Sequence, residues 1–389
     1  MRTPAINGRS SLPAAAALLL AVAGACSGLR IEYPPRPDGG DWPMGGRTPQ
    51  RTSEAAEELA PPLEAVWTAD VTGGFGQGGV AVVDSTVFAV NLRGELYGID
   101  LVTGKRLGWV DLGEAYEGAP TVNGGRVFLA SSAMTESFHS YDLATGKREW
   151  RASVGESETS PLLYRGRLYA ATLSGSLVCL DPAAGAELWR FELPDNRRLK
   201  GIRSNPAADS GLVVFGADDG GVYCVDAVSG KLRWRVETGT AVTAPVAVSG
   251  GRVFAAGLDG FVRSVDLLTG RVAWARDLGC PLRAGPAVRR DIVVLGTSDR
   301  RLVGLEPAGG RILWSRPLEG GVSGTPVLSG ATVYAGTLAK KLYAVSADSG
   351  AVLWIADTPG RVKSALVIHG GTLLVPTDQQ YLVAFRRRP

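Results

Sequence analysis

The chain has little of what most catalytic and metal sites are made from. Four cysteines and two histidines are spread over 389 residues. Neither His139 nor His369 has a second His or Cys nearby at metal-ligand spacing, so a zinc site has no donor set. No Gly-x-Ser-x-Gly elbow, phosphate loop or Cys/His nucleophile pattern is present, and the expectation is a protein without catalytic residues, metal or cofactor. The Asp-Gly pairs at Asp219-Gly220 and Asp259-Gly260 recur at one place in a repeat and read as hairpin turns rather than calcium loops. Charge of one sign is also scarce. Removing residues 1–25 takes away Arg2 and Arg9 and no acid, which leaves one positive charge in excess and no global case for nucleic acid. The apolar run at residues 12–25 is too short for a comfortable membrane span, and no other segment could span one.

What the chain does have is tryptophan at an even beat. Trp67, Trp109, Trp150, Trp189, Trp234, Trp274, Trp314 and Trp354 are separated by 42, 41, 39, 45, 40, 40 and 40 residues, and only Trp42 lies outside the series. A fixed period of this length marks a repeat architecture. Four units share an Asp, a Gly four residues later and a Trp four after that: Asp142/Gly146/Trp150, Asp181/Gly185/Trp189, Asp226/Gly230/Trp234 and Asp266/Gly270/Trp274. Degenerate copies flank them, with one extra residue before Trp109 and with Glu306 and Ser346 in place of the acid. The acid can accept backbone N–H groups and the glycine tolerates positive φ, so each motif is a tight turn between two strands.

Two further alternating runs and a short inner run precede each turn, separated by Gly/Asp/Asn turns, as in Arg252 to Ala256 and Phe261 to Val265. Four strands per unit of about 40 residues, arranged radially, make a β-propeller. The predicted fold is therefore all-β, an eight-bladed propeller over residues 63–389. The last unit ends at Tyr381 to Phe385 without a Trp strand, and Leu63 to Val71 supplies one, so an N-terminal strand closes the ring. Two positions before each turn acid the residue is small: Gly98, Ser140, Cys179, Cys224, Ser264, Gly304, Ala344 and Ala384. Cys179 and Cys224 are read as packing residues at that site, not as a disulfide, because they fall in successive blades.

The front of the chain reads as an export signal, residues 1–25, with Arg2 and Arg9 before an apolar stretch that ends Ala23-Gly24-Ala25-Cys26-Ser27. It resembles a bacterial lipoprotein signal, which implies acylation of Cys26; ordinary cleavage is the alternative. Residues 26–62, rich in Pro, Gly and Arg, are read as a tether whose stretch 28–60 the ring can lose without harm.

The Asp-x-x-Thr-Gly-Lys-x-x-Trp units resemble those of pyrroloquinoline-quinone-type propellers, and Asp41-Trp42-Pro43-Met44-x-Gly46 resembles the lead-in of that group. Quinone dehydrogenases of this fold carry an adjacent cysteine pair that this chain lacks. The closer resemblance is to the BamB family of lipoproteins. It implies a non-enzymatic, monomeric scaffold at the outer membrane, facing the periplasm, that binds the periplasmic part of a BamA-like barrel-assembly protein. The alternatives are a quinone-dependent dehydrogenase and a propeller that binds another envelope protein or a glycan. In the BamB family a loop with a Leu-x-Leu-Arg element holds the partner. Here the corresponding connection, residues 193–206, is the longest between blades, and the resemblance points to Arg197, Arg198, Leu199, Lys200, Ile202 and Arg203; the alternative is that residues 195–203 are only a solvated loop. An acidic Asp-x-Asp element before the next blade is replaced by Thr240-Ala241-Val242. The same face should bring this loop near Asp218 and Asp219.

Overall fold

The computed structural model describes residues 28–194 and 201–387. They form 32 strands in eight four-stranded antiparallel sheets, and no helix. Blade 1 comprises Val80–Val83, Thr86–Val90, Glu95–Asp100 and Arg106–Asp111 in that spatial order, inner strand to outer. The eighth blade alone breaks sequence order. Its outer strand is Leu63–Asp70, paired antiparallel with Tyr381–Arg387, with Trp67 opposite Ala384. The ring is closed as the repeat count requires, and the edge of the final strand is covered.

The repeated tryptophan joins each blade to the next. Trp150 Nε1 donates to the Pro182 carbonyl at 3.1 Å, Trp234 to Leu267 at 2.8 Å and Trp274 to Pro307 at 2.9 Å, in each case the residue after the next blade's turn acid or its equivalent. Trp67, Trp189 and Trp314 do the same to Leu101, Ala227 and Ala347. The indole also sits against the turn glycine: a Cβ on Gly185, Gly230 or Gly310 would come within 2.4, 2.6 or 2.5 Å of it. The glycines, at φ of 68° to 69°, are required twice over, by conformation and by the ring lying on them. The small residue before each turn has its own reason. Cys179, Cys224 and Ser264 lie directly across the sheet from Trp189, Trp234 and Trp274. Both cysteines are free, as is Cys280, and burial pushes the Cys179 thiol up to about 11 and that of Cys224 up to about 12.

One junction is built differently. The extra residue before Trp109 moves it one place along, opposite Tyr97, on whose ring it stacks, and leaves Gly98 facing Gly108. The space goes to Leu29, fully buried, whose Cδ1 would be 2.6 Å from a Cβ on Gly98. The Leu29 carbonyl accepts from the Tyr141 hydroxyl at 2.7 Å, and the Ile31 amide takes the Leu143 carbonyl that an indole would have taken. Trp354, facing the blade that lacks a turn, packs edge-on to Phe385 instead.

The segment expected to be a tether is part of the ring. Trp42 exchanges two backbone hydrogen bonds with Val82 of the first inner strand; Pro43, Pro49, Gln50, Thr52 and Ser53 then accept from Val122, Ala208, Val248, Val288 and Leu328. These are inner strands of blades 2, 4, 5, 6 and 7, so residues 42–55 wind about the axis. Arg51, 3% exposed, fills the centre and donates to the carbonyls of Gly45 and Ser160 at 2.6 and 3.0 Å and to that of Pro206. Burial pushes its pKa down to about 9. Trp42, Met44 and Leu59 are buried as well. The composition of a linker misled because the partners here are backbone groups, which need no repeat pattern. Residues 1–25 and Cys26 lie outside the described residues.

Candidate binding face

The inner strands begin at the axis, and one position three residues before the start-of-strand proline or its equivalent recurs in every blade: Gln77, Glu117, Glu158, Arg203, Thr243, Arg283, Ser323 and Lys363. Their spacing repeats the 40-residue beat, with the 45-residue step at the long connection. Six of them, Gln77 through Arg283, line an axial cup of about 660 Å³, its open mouth included. The residue before each is the anchor that aims it. The amides of Tyr116, Ser157, Ile202, Val242, Leu282, Val322 and Val362 each donate to a carbonyl at the end of the preceding blade's second strand, that of Ile202 to Thr172 at 2.9 Å. Sequence reasoning missed this ring, although the period was enough to align it; its residue types differ from blade to blade, so no motif draws the eye.

The long connection reaches this mouth. Arg203 ion-pairs with Glu158 at 3.3 Å and with Asp218, and the Asp218 amide donates to the Gly201 carbonyl at 2.8 Å, so the loop does meet the turn of the following blade. Burial holds the Asp218 carboxyl above the usual carboxylate range in spite of Arg203, and Glu158 and Asp219 add to the rise. The expectation that Ile202 is a partner-facing anchor does not hold: it is fully buried between the third and fourth blades with Leu193, Phe215 and Tyr223. It occupies the anchoring position of the repeat, where an apolar side chain belongs. Arg203 keeps 44% of its side chain exposed. Arg197, Arg198, Leu199 and Lys200 lie outside the described residues.

The opposite face is taken up by the N-terminal segment. His369 Nε2 meets the Asp84 carbonyl at 2.9 Å and Asp41 at 3.4 Å, and Glu57 accepts from the Gly371 amide at 2.9 Å, all at hairpins of that face. The other histidine, His139, is buried beside Glu114 at 3.4 Å, and burial lowers its pKa. Among the described residues no group of three or more His, Cys, Asp or Glu could hold a metal ion.

A family model described as outer membrane protein assembly factor BamB matches residues 64–201 and 173–388, nearly the whole ring. The chain belongs to the BamB family. Among curated relatives, BamB of Yersinia pestis is 28% identical over 164 residues, 39% of this chain and 41% of that protein. BamB of Burkholderia pseudomallei is 29% identical over 147 residues, 38% of this chain and 36% of its own length. The matches therefore span about two-fifths of those relatives. A quinone-dependent alcohol dehydrogenase subunit of Gluconobacter oxydans is 34% identical over 104 residues, but these are 13% of it. Among solved structures, BamB from Moraxella catarrhalis superposes with a TM-score of 0.72 at 18% identity, over 84% of this chain and all of that one. The quinohemoprotein alcohol dehydrogenase from Comamonas testosteroni gives 0.74 at 14%, over 90% and 81%. At such identities the likeness is one of fold.

Proposed function

We propose that this BamB-family propeller is a non-enzymatic, lipid-anchored scaffold of the outer membrane that holds a protein partner of β-barrel assembly, such as the periplasmic region of a BamA-like protein. The observation that carries this reading is the asymmetry of the two faces. One is occupied by residues 38–58 of the same chain, while the other presents the end of the long connection from Gly201 on, with Arg203 pinned at the axial mouth by Glu158 and Asp218. Binding sites on rigid rings are carried by such loops.

Acylation at Cys26 would also fix the pose. Leu29 is locked between the first two blades, and three residues reach at most about 10 Å, so the rim of those blades would lie against the bilayer rather than float on a tether.

Partner capture from envelope membranes by chemical crosslinking tests the reading. Leu199→Ala with Arg203→Ala should abolish capture, while Arg197→Ala with Arg198→Ala should weaken it chiefly at low salt, as rim charges do. Ile202→Ala should instead lower the melting temperature, because it empties a core site. Capture that survives the first pair would remove the loop from the binding surface.

A further inference from the structure

The axial cup has charged residues outside the 193–206 connection: Glu117, Glu158 and Arg283. Of its charged residues, Arg203 is satisfied by Glu158 and Asp218, and beyond the cup Lys363 lies 3.6 Å from Asp378. Glu117 and Arg283 have no ion pair among the described residues, although both line the cup. They belong to blades 2 and 6, four apart in a ring of eight, so they face each other across the axis. Gln77 and Thr243, on blades 1 and 5, stand opposed in the same way. The Glu117 carboxylate lies over Gly76, where a Cβ would come within 2.6 Å of Oε2, so the glycine gives it room. Beneath, Gln77 also lines the small space bounded by Gly45, Gly46 and Arg51, so the N-terminal segment forms the floor.

We propose that this cup binds a short zwitterionic peptide, with its ammonium at Glu117 and its carboxylate at Arg283. A carboxylate and a guanidinium on opposite walls select a ligand that carries both charges, separated. An α-amino acid, with its two charges only about 3 Å apart, bridges a narrower gap between the walls than a short peptide does. Two to four residues suit the space, and their amides meet the amide of Gln77 and the hydroxyl of Thr243. Among the described residues no aromatic side chain lines the cup, so the stacking that a planar cofactor or a sugar would use has no partner there. Glu117 is a responsive partner. Burial holds its carboxyl above the usual range, Glu158 raises it further and Lys363 offsets only part of this, so an arriving ammonium would reverse the rise.

The inference stands on the cup alone and survives if the scaffold reading fails. Isothermal titration of the purified full chain with trialanine at neutral pH and low salt tests it, beside N-acetyl-trialanine, trialanine amide, free alanine and a twelve-residue Ala/Ser peptide. Saturable binding of trialanine is expected, weakened about tenfold or more by either cap, by Glu117→Gln and by Arg283→Gln, with unchanged melting temperatures. The outlying Lys340→Gln should have no effect. The long peptide separates a free short ligand from the end of a docked protein, and should bind no better than the capped forms. Absence of saturable heat up to ~10 mM trialanine, equal binding of capped, long and free peptides, or full affinity in both variants would each overturn the assignment.

Discussion

The indole of Trp150 rests on the backbone of Gly185, close enough that a Cβ there would lie 2.4 Å from its Cε3. That contact, repeated around the ring, is what ties neighbouring sheets together on their outer edge. Gly185→Ala must both force a side chain to φ +68° and displace the ring, at an expected cost of about 2–4 kcal/mol. Gly166→Ala supplies the comparison, since Gly166 has φ +71° and open space around it; it should cost only about 1–2 kcal/mol, the conformational part. Equal losses in denaturant titrations of the two variants would mean that the clasp contributes nothing.

The N-terminal segment gives a second expectation, opposite to the one its composition suggests. Deletion of residues 28–60 should lower stability as severely as deletion of 63–71, because it uncovers inner-strand amides in blades 1, 2, 4, 5, 6 and 7 and takes Trp42 and Leu59 from the core. Arg51→Met alone should cost roughly 2–4 kcal/mol, since it leaves buried carbonyls of Gly45, Ser160 and Pro206 short of a donor. A 28–60 deletion with the parent melting temperature would return the segment to the status of a linker.

Membrane geometry can be read with fluorophores. If Cys26 carries the lipid, a dye at Lys147→Cys, on the turn of blade 2 beside Leu29, should transfer energy to labelled headgroups far better than one at Arg271→Cys in blade 5. Cys26→Ala should abolish transfer at both sites and release the protein from membranes. Equal transfer from both positions would show a ring that tumbles freely on its anchor.

Acid should loosen the turns. Asp226 Oδ1 accepts from the Ser229 amide and hydroxyl at 2.9 Å and from the Val228 amide at 3.0 Å, and the Ser229 bonds lead in holding its carboxyl below the usual value of 3.8. Asp266 is held down in the same way by Thr269. A pKa depressed in the folded state contributes stability above the unfolded value and loses it as pH falls through the folded one. The melting-temperature gap between the parent and Asp226→Asn should therefore be widest near neutral pH and shrink as pH falls below the usual carboxylate value of 3.8. A gap that does not change with pH would assign the turn's worth to geometry instead of charge.

The sequence alone determined the number of blades, the turn that ends the third strand in the first seven, the small residue two places before each turn acid and the strand from Leu63 that closes the ring. All of these are local patterns that repeat, and repetition makes a weak signal legible. It also placed the long connection beside Asp218. Tertiary structure decided what does not repeat. Leu29 stands in for the displaced indole of Trp109 because one inserted residue left two glycines facing each other, a vacancy visible only when the blades are side by side. Residues 42–55 read as a linker because their bonds go to backbone amides, which leave no trace in side-chain pattern. Ile202 looked like an exposed anchor and is core, since only the ring assigns it to the position that faces inward. Glu117 and Arg283 are 166 residues apart in the chain and line one cup only because eight blades return the chain to the same axis.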